Sequence, residues 1–180
     1  MTGNIINLAI IIGSTREGRF APTVANWFVA QAAGRDDLIV DVIDLAEPGL
    51  SASAMAPRVA QADAFVVITP EYNHSYPAPL KSAIDWHSKE WHAKPVAFVS
   101  YGGISGGLRA VEHLRQVFAE LHAVTIQHTV SFHGVWAHFD QHGEPKDPAR
   151  YARAAKSMLD QLIWWARALG DARAERPYVA

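Results

Sequence analysis

Three stretches hold side chains suited to chemistry. The first is Gly13-Ser14-Thr15-Arg16-Glu17-Gly18-Arg19-Phe20-Ala21-Pro22-Thr23. Two glycines allow tight turning, Ser14, Thr15 and Thr23 offer hydroxyls, and Arg16 and Arg19 offer forked, permanently charged donors. A helix starting near Ala21–Pro22 would add free N–H groups and the positive end of its dipole. Pro22 suits a first turn, where no N–H is needed. This set describes a receptor for a phosphate monoester. Gly18 is followed by Arg19-Phe20 rather than Lys-Ser/Thr, so the loop is not a Walker A loop. Four residues separate Gly13 from Gly18, so it is not a Gly-x-Gly-x-x-Gly dinucleotide turn either.

The second stretch is Thr69-Pro70-Glu71-Tyr72-Asn73-His74-Ser75-Tyr76-Pro77-Ala78-Pro79-Leu80-Lys81. Its prolines stiffen a loop with an aromatic and amide centre, and stiffness lowers the entropy cost of holding a planar molecule. The third, Ser100-Tyr101-Gly102-Gly103-Ile104-Ser105-Gly106-Gly107, formally contains the Gly-x-Ser-x-Gly pattern of a nucleophile elbow. A serine hydrolase would use Ser105, with Asp140 and His142 as candidate acid and base. Against this, Tyr101-Gly102 lengthens the turn, and no His-Gly-Gly motif stands upstream.

The chain has no cysteine, so thiol catalysis, disulfides and Cys-ligated metal centres are excluded. Redox chemistry would have to come from a bound cofactor. The nine histidines show no His-Glu-x-x-His spacing, and no metal site is expected among them. His74 is read as a solvated loop residue, and no catalytic residue is nominated. A net charge of −2 offers no basic face for nucleic acid or an anionic membrane. Met1-Thr2-Gly3-Asn4 lacks a basic leader, and the apolar run Ile5–Ile12 is too short to cross a bilayer. A cytoplasmic setting is therefore the expectation.

The elements that must position these loops follow from periodicity. Asn7–Ile12 and Ala64–Thr69 are nearly continuous apolar, β-branched runs of strand length, and Leu38–Leu45, Val96–Ser100 and Val124–Val130 also read as strands. Between them lie helical patterns: one from Pro22 to Gly34, a short one near Arg58–Ala62, one from Leu80 to Trp86, and one over Gly107–His122. A last helix is expected over Ala149–Leu169, after a polar loop at Phe132–Pro148. Strict strand–helix alternation predicts an α/β, flavodoxin-like, doubly wound parallel sheet of order 2-1-3-4-5, with helices on both faces. At 180 residues and 49% hydrophobic, the chain suits one domain over 1–180. The three loops leave the carboxyl ends of strands one, three and four, where such sheets bind ligands.

Gly13-Ser14-x-Arg16, then Pro70-Glu71-Tyr72-Asn73-x-Ser75-x-Pro77-x-x-Leu80-Lys81-x-Ala83-Ile84-Asp85-Trp86, then Ser100-Tyr101-Gly102-Gly103-x-x-Gly106-Gly107-x-Arg109-Ala110 resembles the NADPH-dependent FMN reductase family. The resemblance covers roughly Ile5 to Val130 and rests chiefly on the second motif. It implies non-covalent FMN, NADPH or NADH as electron donor, and a small acceptor such as a quinone, flavin, azo compound or chromate. It also implies a homodimer or tetramer. Ser14 and Arg16 would hold the phosphate, with Arg19, Phe20, Ala21, Pro22 and Thr23 around it. Pro70, Glu71, Tyr72 and Asn73 would line one side of the flavin ring, and Ser100, Tyr101, Gly102 and Gly103 the other. Many relatives carry Ser and Asn where this chain has Arg19 and Ala21; Arg19 is then expected as a charged substitute. Trp86 and Trp91 are expected to pack, with burial against a second subunit as a further role. A non-enzymatic flavodoxin-type carrier is the other alternative, and the near-neutral charge argues against it.

Overall fold

The computed structural model describes residues 5–179. Five parallel strands form one sheet in the order β2-β1-β3-β4-β5: β1 (Ile6–Ile12), β2 (Leu38–Asp44), β3 (Ala64–Pro70), β4 (Pro95–Gly102) and β5 (Val124–His133). The expected order is the observed one. β3 and β4 are buried along their whole length, as their unbroken apolar runs require once helices cover both faces. The order reverses between β1 and β3, so the loops leaving those strands diverge and open a crevice at their carboxyl ends.

One face carries α1 (Ala21–Ala33) and α5 (Pro148–Glu175), packed on Leu8, Ile10, Val66 and Val99. The other carries α2 (Ala52–Gln61), α3 (Ala78–Asp85) and α4 (Leu108–Glu120), packed on Ala9, Ile11, Val67 and Phe98. Odd and even strand positions thus feed different cores, as the two-residue period of a strand dictates.

Several boundaries differ from the sequence expectation. α2 starts at Ala52 rather than near Arg58, because Ser51 caps it by accepting the Ala54 N–H; Pro57 sits inside the helix. α5 runs to Glu175, past Leu169. The stretch expected as a polar loop after β5 is partly ordered and apolar: β5 continues to His133, a 3-10 turn spans Val135–Ala137, and Phe132, Val135 and Phe139 are buried. Trp91 is wholly buried in its own chain, its Nε1 donating to the Ile84 and His87 carbonyls at 3.1 Å each, so it has no surface to give a partner subunit. Trp86 stays 42% exposed.

β5 is irregular. Val96 pairs with Thr125 and Phe98 with Thr129, so Gln127 and His128 bulge from the edge. The His128 N–H donates to Gln161 Oε1 of α5 at 2.8 Å.

Candidate functional site

The β1–α1 loop is built by close approach. Gly13 donates its N–H to the Ile68 carbonyl at 2.9 Å. A Cβ there would lie 2.9 Å from Leu80 Cδ2 and 3.3 Å from the Ile68 carbonyl, so only glycine lets the loop lie against β3 and α3. Ser14 is fully buried, and its Oγ is 2.8 Å from Tyr72 Oη. Arg16 is exposed, with its guanidinium 5.2 Å from the Tyr72 ring centre. Beyond it, the N–H groups of Thr15, Arg16, Glu17 and Gly18 have no protein partner among the described residues. α1 begins without a side-chain cap. Open amides over an uncapped helix start suit an anion.

Arg19 is placed differently from the expectation. Its Nη1 and Nη2 donate to the two carboxylate oxygens of Asp44 at 2.6 Å each, and Nη1 also meets the Ser14 carbonyl at 2.5 Å. Asp44 ends β2, the neighbour of β1, so its carboxylate stands at the same sheet edge. The Arg19 pKa is raised, first by the Asp44 hydrogen bond. Burial pushes the Asp44 carboxyl up, but Arg19 and the Ala46 N–H more than offset this and hold it below the usual range. Arg19 is thus a brace that fixes the Ser14 carbonyl, with its two terminal nitrogens spent on protein. Phe20 packs edge-on against Phe139 at 5.6 Å between ring centres. Ala21 is buried. Pro22 and Thr23 border a groove shared with His142 and Gly143.

After β3, the Glu71 N–H donates to the Tyr101 carbonyl at 3.2 Å, tying the second loop to β4. Tyr72 and Ser75 exchange backbone hydrogen bonds of 2.8 and 3.0 Å around Asn73 and His74, both at positive φ (50° and 68°). Asn and His are among the non-glycine residues found most often in that left-handed geometry. Both project at the exposed tip. The Glu71 carboxylate turns inward, its side chain only 9% exposed. Ser105 Oγ donates to it, as do the Arg109 backbone N–H at 3.3 Å and Nη1 at 2.8 Å. Burial raises the Glu71 pKa, and these donors bring it below the usual value.

The third loop folds back on β4. Ser100 Oγ, fully buried, donates to the Gly106 carbonyl at 2.8 Å, so its hydroxyl serves the turn. Gly107 has φ +85°, and a Cβ there would fall 2.7 Å from Ser100 Cβ. Gly102 is buried under Glu71 and Gly107; Gly103 is exposed, with open space where a Cβ would stand. Tyr101 is 4% exposed, and its hydroxyl has no partner among the described residues. Burial, then the nearby Tyr72, pushes its pKa well up and keeps it a neutral donor.

Ser14, Tyr72, Tyr101 and Arg19 therefore converge beneath the first loop, with the Pro70–Asn73 and Ser100–Gly103 segments beside it. The hydrolase arrangement is not formed. Ser105 donates to Glu71, while Asp140 accepts the His142 and Glu144 N–H groups of its own loop at 2.8 and 3.0 Å. His142 borders α1 beside Pro22 and Thr23. His133 Nδ1 lies 3.0 Å from the Ile104 carbonyl, and His138 lies between the His133 carbonyl and Tyr151 Oη at 2.8 and 3.1 Å. Among the described residues no cluster of three or more metal-ligating side chains occurs. Sequence reasoning missed Asp44 and the Ser105–Glu71–Arg109 set, since both depend on strand order.

The family model of NADPH-dependent FMN reductases matches residues 6–137. A quinone reductase of Escherichia coli is 34% identical over 138 residues, covering 67% of this chain and 73% of the relative. An NAD(P)H-dependent FMN reductase of Schizosaccharomyces pombe is 36% identical over 119 residues, 56% of this chain; the match spans only 60% of that protein's own length. Among solved structures, the flavoenzyme NAD(P)H:acceptor oxidoreductase FerB of Paracoccus denitrificans superposes with a TM-score of 0.71 at 21% identity, covering 89% of this chain and 97% of its own. Flavodoxin 1 of Bacillus cereus superposes with a TM-score of 0.60 at 15% identity, covering 87% of this chain and 99% of its own. These likenesses share the flavodoxin-like fold. The family-model match over residues 6–137 and the identity to the quinone reductase show that the chain belongs to the NADPH-dependent FMN reductase family.

Proposed function

We propose that this protein is an FMN-dependent NAD(P)H oxidoreductase that reduces a small acceptor such as a quinone, free flavin, azo compound or chromate. The carrying observation is the run of open amides from Thr15 to Gly18 over the uncapped start of α1, with the exposed Arg16 guanidinium beside it. Free N–H groups at a helix start, with a cation beside them, form a site for an anion. The FMN phosphate fits that donor set.

When bound, FMN supplies a redox centre able to accept hydride from a nicotinamide nucleotide and pass electrons onward. The chain's residues bind and orient. Arg16 and the Thr15–Gly18 amides would hold the phosphate, with Phe20, Ala21 and Thr23 at the helix start. Arg19 would keep the loop in shape. Pro70, Glu71, Tyr72 and Asn73 would flank one side of the ring. Gly102 and Gly103 would let it approach closely on the other, beside Ser100 and Tyr101. No side chain is required to move a proton in hydride transfer, only to fix geometry and exclude water. The same reading includes a single domain over 1–180, a cytoplasmic setting and a homodimer or tetramer. Among the described residues no helix is long and apolar enough to cross a membrane.

The test is an absorption spectrum of the purified protein, repeated after NADPH. Flavin bands that bleach on NADPH and return with a quinone are expected. No flavin after FMN reconstitution overturns the reading, and bound flavin that NADPH cannot reduce restores the electron-carrier alternative.

A further inference from the structure

At the amino ends of the strands lies an open groove of about 590 Å³, lined by Lys94, Arg173, His92, Glu90 and Tyr178 among others. This volume is within the range of small-molecule sites. Lys94 immediately precedes β4 and is 8% exposed. Its Nζ donates to the Val59 and Ala60 carbonyls at 3.0 and 2.9 Å, at the carboxyl end of α2, which leaves one N–H. Arg173, on the last turn of α5, donates through Nη1 to the Ala93 carbonyl.

Charge sets these two apart. Arg19, Arg35 and Arg58 each grip a carboxylate. Lys94 and Arg173 make no ion pair among the described residues, though Lys94 is buried and Arg173 partly so. They also repel each other: burial first, then the Arg173 charge, brings the Lys94 pKa down to about 8, while the Asp63 and Glu90 charges act the other way. Buried positive charge without a counter-ion is expensive. One anion on both groups would use the spare donors and offset the repulsion.

The wall beside these cations is aromatic. Tyr178 Oη is 2.9 Å from His122 Nδ1, which ties the segment after α5 to the turn between α4 and β5. The Tyr178 ring lies 5.8 Å from His92 and 5.9 Å from His122, and the two imidazoles are 4.9 Å apart. We infer that this groove is a second ligand site, distinct from the carboxyl-edge crevice, for a small anion carried on a flat ring. The anionic oxygens would sit between Lys94 and Arg173, with the ring against His92 and Tyr178. The inference does not rest on the FMN reading, because none of these residues belongs to that crevice.

The test titrates phenyl phosphate, benzoate and inorganic phosphate into the FMN-loaded protein by calorimetry. Saturable binding of an aromatic anion at or below about 1 mM is expected. Arg173→Gln should weaken it by about tenfold or more, as loss of a charge-assisted hydrogen bond does. Tyr178→Ala should weaken phenyl phosphate but not inorganic phosphate. Lys94→Met is informative only if it folds, so Arg173→Gln carries the decision. Absence of saturable binding by either aromatic anion overturns the site, as does binding that Arg173→Gln leaves within about twofold. Equal affinity for phenyl and inorganic phosphate overturns the aromatic half.

Discussion

The Arg19–Asp44 brace separates two accounts of the first loop, and Asp44→Asn distinguishes them. Asp44 accepts both terminal Arg19 nitrogens at 2.6 Å, in a pair only 16% and 30% exposed. Asparagine keeps the size but loses the charge and one acceptor, leaving a half-buried guanidinium poorly paired. A hydrogen bond to a charged group contributes about 1.5–3 kcal/mol. Arg19 also holds the Ser14 carbonyl, so the loss falls on the order of the open amides. If binding must restore that order, the FMN dissociation constant rises by about tenfold to about 150-fold. Quenching of FMN fluorescence on titration with apoprotein measures it. Arg19→Ala should do similar damage, and the double variant Arg19→Ala/Asp44→Ala should cost clearly less than the sum. If Arg19 instead clasps the phosphate, Asp44→Asn releases it, and FMN binds as tightly or more tightly. That outcome refutes the brace.

Other tests follow from the same geometry. Gly107→Ala should destabilise by about 2–5 kcal/mol in urea unfolding, since φ is +85° and the new Cβ would meet Ser100 Cβ at 2.7 Å. Gly103→Ala, where a Cβ meets open space, should leave stability within about 0.5 kcal/mol yet weaken FMN binding; equal loss in both variants would contradict this. Ser105→Ala should cost about 1–2 kcal/mol through its bond to Glu71 and keep NADPH oxidation within a few fold. An esterase activity abolished by that change would revive the hydrolase. The Asp44 carboxyl pKa is lowered on folding, so its stabilisation is present above the unfolded carboxylate value of about 3.9 and is lost as pH falls through the folded value. Asp44→Asn should therefore flatten the stability profile below about pH 4, read by denaturant midpoints.

The sheet order was legible because five strand-like runs alternate with helical patterns, and the runs of β3 and β4, buried on both faces, are nearly unbroken in apolar residues. The carboxyl-edge loops were legible because Gly13-Ser14 and Gly102-Gly103 stand where strands end. What was hidden was pairing across the sheet. Whether Arg19 faces a phosphate or Asp44 depends on β2 lying beside β1, 25 residues away along the chain. Ser105 resembled a nucleophile because its pattern is local, whereas its partner Glu71 is 34 residues away. The short helix expected near Arg58–Ala62 starts earlier, because the Ser51 cap opens α2 at Ala52 with Pro57 inside it. The polar composition after β5 masked Phe132 and Phe139, whose rings lie 5.0 Å apart, tilted at 45°, in the core.

The bulge at Gln127–His128 has a consequence for how copies of this protein can meet. Both outer strands of an open sheet offer unpaired backbone that could template a neighbour and seed aggregation. Here β5 breaks its own ladder and spends the His128 N–H on Gln161. β2, the other edge, carries Asp41 and Asp44, each clamped to an arginine. A foreign strand would meet a kink on one side and fixed charge on the other. Growth of the sheet from chain to chain is thereby blocked at both margins, and any association of subunits is left to the helical faces and the loops at the crevice.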